Sequence, residues 1–377
     1  MPQTNPTQAN PTQAGPIHAS ATQANLAHHA SATQTDPYGL YRVLEPQGVM
    51  PQAAWRVDNT PVCHDSEILI NVEILNIDSA SFTQLKTAAD NDAGKLADGV
   101  FEIVRQRGKM HNPVTGSGGM LIGRVTQIGS HIAERGDVKV GDRIATLVSL
   151  SLTPLSLRKI HRVDMRNAQL DVEATAVLFE SGIFAKMPDD LPDRVALAVF
   201  DVCGAPAQTA RLVQPGSTVV IFGAGGKSGL TVLAEARRQS GTGKIVAIEY
   251  GEAACERVAN LGFADAVLNL DATRSADVYQ AVTAALEGNL ADVVINCVNV
   301  PGTEMSCILC AKDQGTVYFF SMATSFTAAA LGAEGVGKDV HLMIGNGYCK
   351  GHAHHALNLL RETPALLAVF EQKFAGR

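Results

Sequence analysis

The chain has 377 residues, more than one ordinary hydrophobic core, and this length predicts two domains. Its 37 acidic and 30 basic residues give a net charge of −7 at pH 7, which opposes binding to nucleic acid or to an anionic membrane. No apolar run approaches the length that spans a bilayer. The 7 cysteines are an odd number, and without a secretory signal they predict reduced thiols in the cytoplasm rather than a disulfide framework.

The first 36 residues repeat Thr-Gln-Ala among Asn, Pro, Gly, Ser and His and hold almost no large apolar side chains. Such a segment buries too little surface to offset the entropy that ordering costs. We therefore expect residues 1–36 to form a disordered tail.

Residues 37–190 form the first predicted domain, and their pattern is rich in β-structure. Apolar and polar side chains alternate over 67–75 and 120–128, and a turn at 139–142 leads into a further strand. The polar interval 86–107 is typical of a helix. This arrangement predicts a small β-barrel-like domain.

Residues 191–350 form the second predicted domain, in which helices and strands alternate. It begins with one helix over 192–212, and strands are expected at 217–222, 244–249, 266–268, 292–297, 316–320 and 339–344. Alternation of this kind predicts an α/β fold with a doubly wound parallel sheet. The last segment, 351–377, is predicted to pack as terminal helices.

A glycine-rich turn joins the first strand of this second domain to a helix. Strand, turn and helix in this order bring backbone N–H groups and the positive end of a helix dipole against a pyrophosphate. The next strand ends at Glu249, about 20 residues beyond the turn, where a carboxylate accepts hydrogen bonds from the adenosine ribose. The predicted contacts of this turn and strand are Gly223, Gly225, Gly226, Lys227, Ser228, Gly229 and Glu249.

These residues predict bound NAD, because the charge of Glu249 repels the 2′-phosphate of NADP. Arg257 follows a few positions on, so NADP stays open. Lys227 is interpreted either as a phosphate contact or as a surface lysine. In open α/β sheets, ligands lie at the carboxyl ends of the strands. The residues that end two later strands therefore extend the predicted cofactor site to Val298, Asn299, Ser321 and Met322. The apolar side chains of this set could equally belong to the core.

Several cysteines and histidines have the spacing of metal ligands. Cys307 and Cys310 lack a second pair at that spacing, which favours buried small side chains. His352, His354 and His355 are expected at solvated positions of a helix start. We predict no metal.

The combination of a β-rich domain with Val-Gly-Asp-Arg ending at Arg143, a linker from Lys186 and a following nucleotide fold resembles the medium-chain dehydrogenase/reductase superfamily. The resemblance implies a GroES-like β-barrel domain followed by a Rossmann-type domain. Zinc enzymes of that superfamily carry a catalytic cysteine and a Gly-His-Glu where this chain has 76–81 and 116–119. Neither is present, so the resemblance implies a member without zinc.

More narrowly, long strings of this chain are similar to the L-erythro-3,5-diaminohexanoate dehydrogenases; they lie at 75–84, 107–123, 145–154, 178–182 and 204–208. This resemblance implies NAD(P)-dependent oxidative deamination at C3 of the diamino acid, giving 5-amino-3-oxohexanoate and ammonia in lysine fermentation. It also implies a homodimer in which the strand at 340–344 pairs across the interface.

That chemistry suits a site without metal, because an alkylammonium with a pKa of about 10 can lose its proton to a well-placed carboxylate or imidazole. On the superfamily's cleft-lining segments, one of Asp78, Glu180 and Asp201 is the hypothesised base, and the others would receive the ammonium groups. Each acid could instead be a helix cap or part of a surface ion pair. His111 is either a proton relay or a structural histidine.

Polar groups near these acids are candidates for binding the rest of the substrate. Lys109, with Arg105 and Arg107, is either a carboxylate clamp or part of a solvated face. The other predicted substrate contacts are Ser79, Thr115 and Ser117.

Two rival functions remain at this stage. A zinc-free enone or quinone reductase would share the cofactor turn, but such pockets are usually apolar, and Asp78 and Glu180 count against it. A non-catalytic NAD(P)-binding protein is distinguished only by the absence of turnover.

Overall fold

The computed structural model describes residues 36–345 and 347–374, so the tail predicted over 1–36 lies outside the described residues apart from Asp36. Within these ranges, no helix is both long enough and apolar enough to cross a membrane.

The N-terminal part is rich in antiparallel strands. Its elements are β1 (Val43–Glu45), β2 (Arg56–Val57), β3 (Glu67–Ile77), α1 (Ser79–Ala88), α2 (Ala93–Arg107), β4 (Gly119–Ile128), α3 (Ser130–Ala133), β5 (Arg143–Thr146), β6 (Leu155–Asp164), β7 (Gln169–Phe179) and β8 (Phe184–Lys186).

Six of these strands form one antiparallel sheet in the order β6-β7-β3-β4-β5-β8. Along β3 the side chains of Ile68, Ile70 and Val72 alternate into a buried cluster, which explains the sequence pattern. Within the described ranges, the edge strands β6 and β8 do not pair with each other. The N-terminal sheet is therefore observed as an open sheet, and closure into the predicted barrel is not seen.

The helical interval predicted over 86–107 is two helices rather than one. Asp90 and Asn91 adopt left-handed φ angles of 52° and 61°, which end α1. Asp92 then caps α2 by accepting the backbone N–H of Lys95 at 2.8 Å.

The C-terminal part alternates helices and strands as predicted. Its elements are α4 (Asp193–Phe200), α5 (Gly204–Leu212), β9 (Val219–Phe222), α6 (Lys227–Ser240), β10 (Ile245–Glu249), α7 (Glu252–Asn260), β11 (Ala266–Asn269), α8 (Ser275–Ala285), β12 (Ala291–Asn296), α9 (Glu304–Cys310), β13 (Ala311–Phe319), α10 (Phe326–Gly335), β14 (His341–Ile344), α11 (His352–Glu362) and α12 (Pro364–Phe374).

All strands of this second sheet are parallel, in the order β11-β10-β9-β12-β13-β14. Numbered from β9, this is the Rossmann order, which reverses between β9 and β12. Ligands bind outside the carboxyl ends of the strands at such a reversal. The α/β architecture and the parallel sheet are as predicted, whereas α10 was not predicted from the sequence.

The single helix predicted over 192–212 is wrong, because the chain breaks into α4 and α5 between Asp201 and Cys203. At Gly204 a Cβ atom would lie 2.1 Å from the carbonyl oxygen of Gly347. The start of α5 thus lies directly against the segment that leads into α11. The break leaves Asp201 at the end of α4, where its side chain reaches a cavity.

One hydrophobic cluster joins the two parts of the molecule. Met120 and Ile122 of β4 belong to the same buried cluster as Val195 of α4, Leu360 of α11 and Phe370 of α12. The helices α11 and α12 pack on α4, α5 and α6. The terminal helices are therefore part of the core beside the parallel sheet.

Arg143 adds a charged link across this boundary. Its two terminal nitrogens donate to the two carboxylate oxygens of Asp193 in α4 at 2.7 Å each, and its Nε donates to Glu73 of β3 at 2.7 Å. Hydrogen bonding to Asp193 raises the pKa of the Arg143 guanidinium. This paired geometry links β5 to α4 across the boundary between the two parts of the molecule.

Candidate active site

The glycine turn lies at the point where the strand order reverses. Gly223 has a φ of 73°, and a Cβ at Gly229 would lie 2.0 Å from the carbonyl oxygen of Gly223. Both positions therefore require glycine. A Cβ at Gly226 would meet nothing closer than 3.6 Å, so the backbone just before α6 is open to an approaching phosphate.

Glu249 lies beside this turn, at the end of β10. Its Oε2 accepts the backbone N–H of Gly225 at 2.6 Å, and its Oε1 accepts that of Tyr250 at 2.9 Å. A cavity of about 620 Å³ opens next to it and is lined by Gly223, Gly226, Glu249, Val298 and Asn299 among others. An open glycine turn beside an acidic strand end fits the adenosine and pyrophosphate of a dinucleotide.

Four further predicted cofactor residues do not line this cavity. Ser228 and Gly229 are in the first turn of α6 and do not line this cavity. Ser321 and Met322 follow β13; Ser321 Oγ accepts the N–H of Ala323 at 3.1 Å, and Met322 is 88% exposed. Their role as cofactor contacts stays a prediction.

A second cavity, of about 540 Å³, lies between the two sheets. Phe320, which follows β13, belongs to its wall together with Asp201 and Gly204 at the break between α4 and α5. The N-terminal part contributes Asp78 and Ser117. This cavity therefore meets the carboxyl-end edge of the parallel sheet on one side and the predicted substrate residues on the other.

Asp78 is the acid with the clearest free acceptor. It follows β3 directly and caps α1, because its Oδ1 accepts the backbone N–H of Ser81 at 2.9 Å. Its Oδ2 is buried and has no hydrogen-bond partner within the described ranges. A buried carboxylate oxygen without a partner costs free energy, and it is the kind of exception that points to a functional site.

Three hydroxyl groups meet near Asp78. Ser81 Oγ lies 2.6 Å from Thr115 Oγ1 and 2.8 Å from Ser117 Oγ, and these last two atoms are 3.0 Å apart. Ser81 is fully buried, while Ser117 lines the cavity. The structure therefore brings the predicted Thr115 and Ser117 together and adds Ser81, which sequence reasoning missed. Ser79 is exposed and does not line the cavity.

Asp201 also lines this cavity, but its carboxylate is shared. Its Oδ2 forms an ion pair with Nζ of Lys227, the first residue of α6. The same Nζ lies 5.9 Å from the centroid of the Phe374 ring. Lys227 is therefore not a free surface lysine. Its ammonium is paired with Asp201 and lies near the Phe374 ring.

Glu180 is not brought to the cavity, and we no longer retain it as a candidate base. Its Oε2 lies 2.8 Å from Nδ1 of His131. The reason is the antiparallel register of β7 on β3, which pairs Phe179 with Glu67. Glu180 therefore lies at the start of β3, whereas Asp78 lies at its far end.

The predicted carboxylate clamp is not assembled either. Lys109 is fully buried, and its Nζ donates to the carbonyl oxygens of Pro51 at 2.6 Å and Gln52 at 3.2 Å. Burial and the charge of Arg107 lower the pKa of Lys109 to about 7. Its Nζ donates hydrogen bonds to the loop that contains Gln52, a residue of the cavity wall, and Lys109 itself does not line the cavity.

The two arginines of this segment have structural partners as well. Arg107 donates to the carbonyl oxygens of Trp55 at 3.1 Å and His111 at 2.6 Å, and Arg105 pairs with Glu102 on the exposed face of α2. Neither guanidinium lines the cavity.

His111 does not line the cavity, so its placement favours the structural interpretation. Its Nδ1 is buried without a hydrogen-bond partner in the part of the chain that the structure describes. Burial, together with the charges of Lys109 and Arg107, lowers the pKa of His111 to about 4. The imidazole is therefore neutral at physiological pH.

His352 is a cavity residue that sequence reasoning placed in solvent. It is buried at the start of α11, its ring packs edge-on against that of Tyr348 at 5.1 Å, and both line the cavity. Burial lowers the pKa of His352. Its spacing with Ala356 and Leu360 on one helix face was the available signal.

The other histidines and cysteines with the spacing of metal ligands have different surroundings. His354 bonds to Asn358, and His355 pairs with the buried Glu235 at 3.2 Å. Cys307 and Cys310 are fully buried, as predicted. Within residues 36–345 and 347–374, no group of three or more His, Cys, Asp or Glu side chains could hold a metal ion.

Comparison with known proteins adds to this geometry. A family model described as the L-erythro-3,5-diaminohexanoate dehydrogenase N-terminal domain matches residues 41–188, and one described as zinc-binding dehydrogenase matches residues 229–334. A curated L-erythro-3,5-diaminohexanoate dehydrogenase of Acetoanaerobium sticklandii is 51% identical over 338 residues, which cover 89% of this chain and 98% of that protein. The chain belongs to the L-erythro-3,5-diaminohexanoate dehydrogenase family.

Membership in this family extends over both parts of the molecule. The dehydrogenase of the same name from Fusobacterium nucleatum subsp. nucleatum is 49% identical over 336 residues, covering 89% of this chain and 97% of that protein. Among solved structures, the CurK enoyl reductase superposes with a TM-score of 0.53 at 16% identity, over 85% of this chain and 86% of that one. That likeness concerns the fold alone.

Proposed function

We propose that this protein catalyses the NAD(P)-dependent oxidative deamination of L-erythro-3,5-diaminohexanoate at C3, giving 5-amino-3-oxohexanoate and ammonia. Family membership supports the reaction. The observation that carries the site is the buried, unpartnered Oδ2 of Asp78 at the cavity between the two sheets.

The cofactor side fits a nicotinamide dinucleotide, whose bound ring accepts the hydride from C3. Glu249 favours NAD over NADP, because a ribose 2′-phosphate would face its carboxylate. Gly226 leaves the backbone before α6 open, and the first N–H groups of α6 provide donors for the pyrophosphate.

Asp78 is proposed as the general base. Its free oxygen takes a proton from the C3 ammonium, which leaves the neutral amine that can release a hydride from C3. The resulting iminium must then gain water, and the hydroxyl group of Ser117 at the cavity wall orients that water, supported by Thr115 and Ser81. Asp78 releases the first proton to solvent and can then accept a proton from the attacking water. It gives this proton to the amine as the carbinolamine collapses to the ketone and ammonia, so one carboxylate serves both steps.

The substrate carboxylate has to be bound by neutral hydrogen-bond donors of the cavity wall. No lysine or arginine is among the described residues that line the cavity. Gln52, Ser149 and His352 lie in the wall and offer an amide, a hydroxyl and an imidazole N–H. We assign these neutral groups, in place of Lys109, to the carboxylate.

The reaction as drawn uses oxygen and nitrogen side chains and needs no zinc. We further propose that the N-terminal sheet corresponds to the GroES-like barrel of the medium-chain dehydrogenases and that the protein works in the cytoplasm with its cysteines reduced.

A homodimer is proposed through β14, one of the two edge strands of the parallel sheet. Its unpaired backbone groups offer a template for a second copy. The neighbouring α10 adds exposed apolar side chains, Phe326 and Leu331, at 70% and 62% exposure.

The test is turnover of the purified protein with NAD and L-erythro-3,5-diaminohexanoate, following reduced cofactor and ammonia together. We expect both products in equal amounts, and we expect the rate to survive treatment with a strong zinc chelator. No turnover with either dinucleotide, combined with NADPH-dependent reduction of an enone, would replace this proposal with a reductase. Dinucleotide binding without any turnover would indicate the non-catalytic alternative.

A further inference from the structure

One ion pair lies between the glycine turn and the cavity that separates the two sheets. Asp201 ends α4 and lines the cavity between the sheets, while Lys227 begins α6 immediately after Gly226 of the glycine turn. The carboxylate and the ammonium contact each other, and their side chains are 40% and 32% exposed. A single lysine therefore lies within reach of both the substrate space and the phosphate-binding turn.

The charges in the cavity do not match the proposed substrate while this pair is closed. The substrate has two ammonium groups, and the cavity wall offers Asp78 and Asp201 as carboxylates. With Lys227 on Asp201, only Asp78 remains to balance them. The second ammonium group would then enter a confined space without a counter-charge, which is unfavourable.

The dinucleotide supplies a competitor for Lys227. A pyrophosphate bound at the N-terminus of α6 brings negative charge beside the residue that starts that helix. A lysine carries its charge on a flexible four-carbon stem, so its ammonium can move from one anion to another. Moving it to the phosphate would leave the Asp201 carboxylate unpaired in the cavity.

We infer that Asp201 is the receptor for the C5 ammonium of the substrate and that it becomes available when cofactor phosphate draws Lys227 away, so that dinucleotide and diamino acid bind cooperatively. The inference rests on the proposed function and assigns Asp201 to specificity rather than to proton transfer. It also makes Lys227 a residue of both sites.

Calorimetric titration with ADP-ribose tests this coupling. ADP-ribose has the pyrophosphate but lacks the nicotinamide, so the diamino acid can bind at equilibrium without being oxidised. We expect 3,5-diaminohexanoate to bind about tenfold more tightly when ADP-ribose is saturating, and ADP-ribose to gain the same factor in the reverse experiment. 3-Aminohexanoate, which lacks the C5 ammonium, should show no gain.

Substitutions separate the two partners. Lys227→Gln frees Asp201 permanently, so the diamino acid should bind the ADP-ribose-free variant about as tightly as it binds the loaded wild-type protein. Asp201→Asn should bind it weakly with and without ADP-ribose. The matched control is Lys373→Gln, because Nζ of Lys373 lies 3.4 Å from the carbonyl oxygen of Gly225 but is not paired with Asp201; it should keep the coupling.

The outcomes are distinguishable. Equal affinity for the diamino acid with and without ADP-ribose, or full coupling in Lys227→Gln, would overturn the inference while turnover with NAD still supported the function. Failure of ADP-ribose to bind would overturn it as well, because it requires a phosphate-binding turn. If the diamino acid bound in no state and was not oxidised, both the inference and the proposed function would fall.

Discussion

Ser81 donates its backbone N–H to Oδ1 of Asp78 at 2.9 Å, and the other carboxylate oxygen of Asp78 is left buried without a partner among the described residues. One oxygen is thus fixed by the start of α1, and the other faces the chemistry. A single substitution can therefore separate the helix-capping role of Asp78 from its proposed catalytic role.

We expect Asp78→Asn to lower kcat by roughly 10² to 10⁴-fold with little change in stability. Asparagine caps a helix about as well as aspartate, but an amide cannot accept the substrate proton. Steady-state kinetics and a thermal melt, measured on the same preparation, check both halves. Ser79→Ala is the control, since Ser79 is exposed outside the cavity. Near-normal turnover of the asparagine variant would rule out Asp78 as the base.

Glu180→Gln should leave kcat and KM close to their wild-type values. The Glu180 carboxylate contacts His131, which is about half exposed, and such pairs contribute less than about 1 kcal/mol to stability. A hundredfold loss of kcat/KM would show that the placement of this acid has been misjudged.

Glu249→Ser should shift cofactor preference toward NADP. Removing the carboxylate takes away the repulsion of a 2′-phosphate and also the acceptor for the ribose hydroxyls. The ratio of kcat/KM for NAD to that for NADP should therefore fall by about tenfold or more. An unchanged ratio would mean that Glu249 serves only to hold the N–H of Gly225.

Arg143→Met should destabilise the protein by roughly 1 to 3 kcal/mol, because charge-assisted hydrogen bonds to Asp193 and Glu73 are lost together. Urea unfolding measures the change. Arg162→Met is the matched control: Arg162 pairs with Asp171 at 2.7 Å, but both side chains lie on the exposed face of the N-terminal sheet, so a much smaller loss of stability is expected. Equal losses in the two variants would contradict a special role for the Arg143 link.

Acid should destabilise the wild-type protein partly through His111. The pKa of His111 is about 4 in the folded protein, below its ordinary value, so between these two values the unfolded chain binds a proton that the folded chain does not. The stability that the neutral imidazole contributes is fully present above the pKa of His111 in the unfolded chain. It is lost as the pH falls toward the lower pKa of the folded protein.

In His111→Asn this contribution to the acid loss is removed. Comparing the free energy of unfolding at about pH 8 and about pH 5, the wild-type protein should lose more than the variant. Other histidines are present in both proteins and cancel in the difference. Parallel losses would show that His111 titrates normally.

The parallel sheet was predictable because its signals are local. Each strand is a short β-branched run followed by a helix, and a strand with the pattern of β9 can only be buried on both faces. The break after α4 was not predictable, since it depends on the approach of Gly204 to Gly347, residues far apart in sequence.

The candidate site was predictable to the extent that it depends on local order. The glycine turn follows from the local order of strand, turn and helix, whereas Asp78 and Ser117 were found through the resemblance to the medium-chain dehydrogenases. Glu180 was misplaced because the register of β7 on β3 is a long-range property. The positions of strands along the sequence do not determine it. Lys109 was predicted to be either a carboxylate clamp or part of a solvated face, because sequence shows its charge but not its partners. In the structure, carbonyl oxygens from a distant loop accept its hydrogen bonds in the interior.

The contact of Lys227 with Phe374 has a consequence for how the molecule is made. α12 packs on α4 and α6, so the residues that end the described chain support the first turn of the helix that begins at the cofactor. During synthesis from the amino terminus, the parallel sheet can assemble before α12 has left the ribosome, but this support cannot. A nascent chain halted before α12 would therefore have a formed sheet with an unfinished coenzyme pocket, and capacity to bind dinucleotide should appear only once α12 has been synthesised.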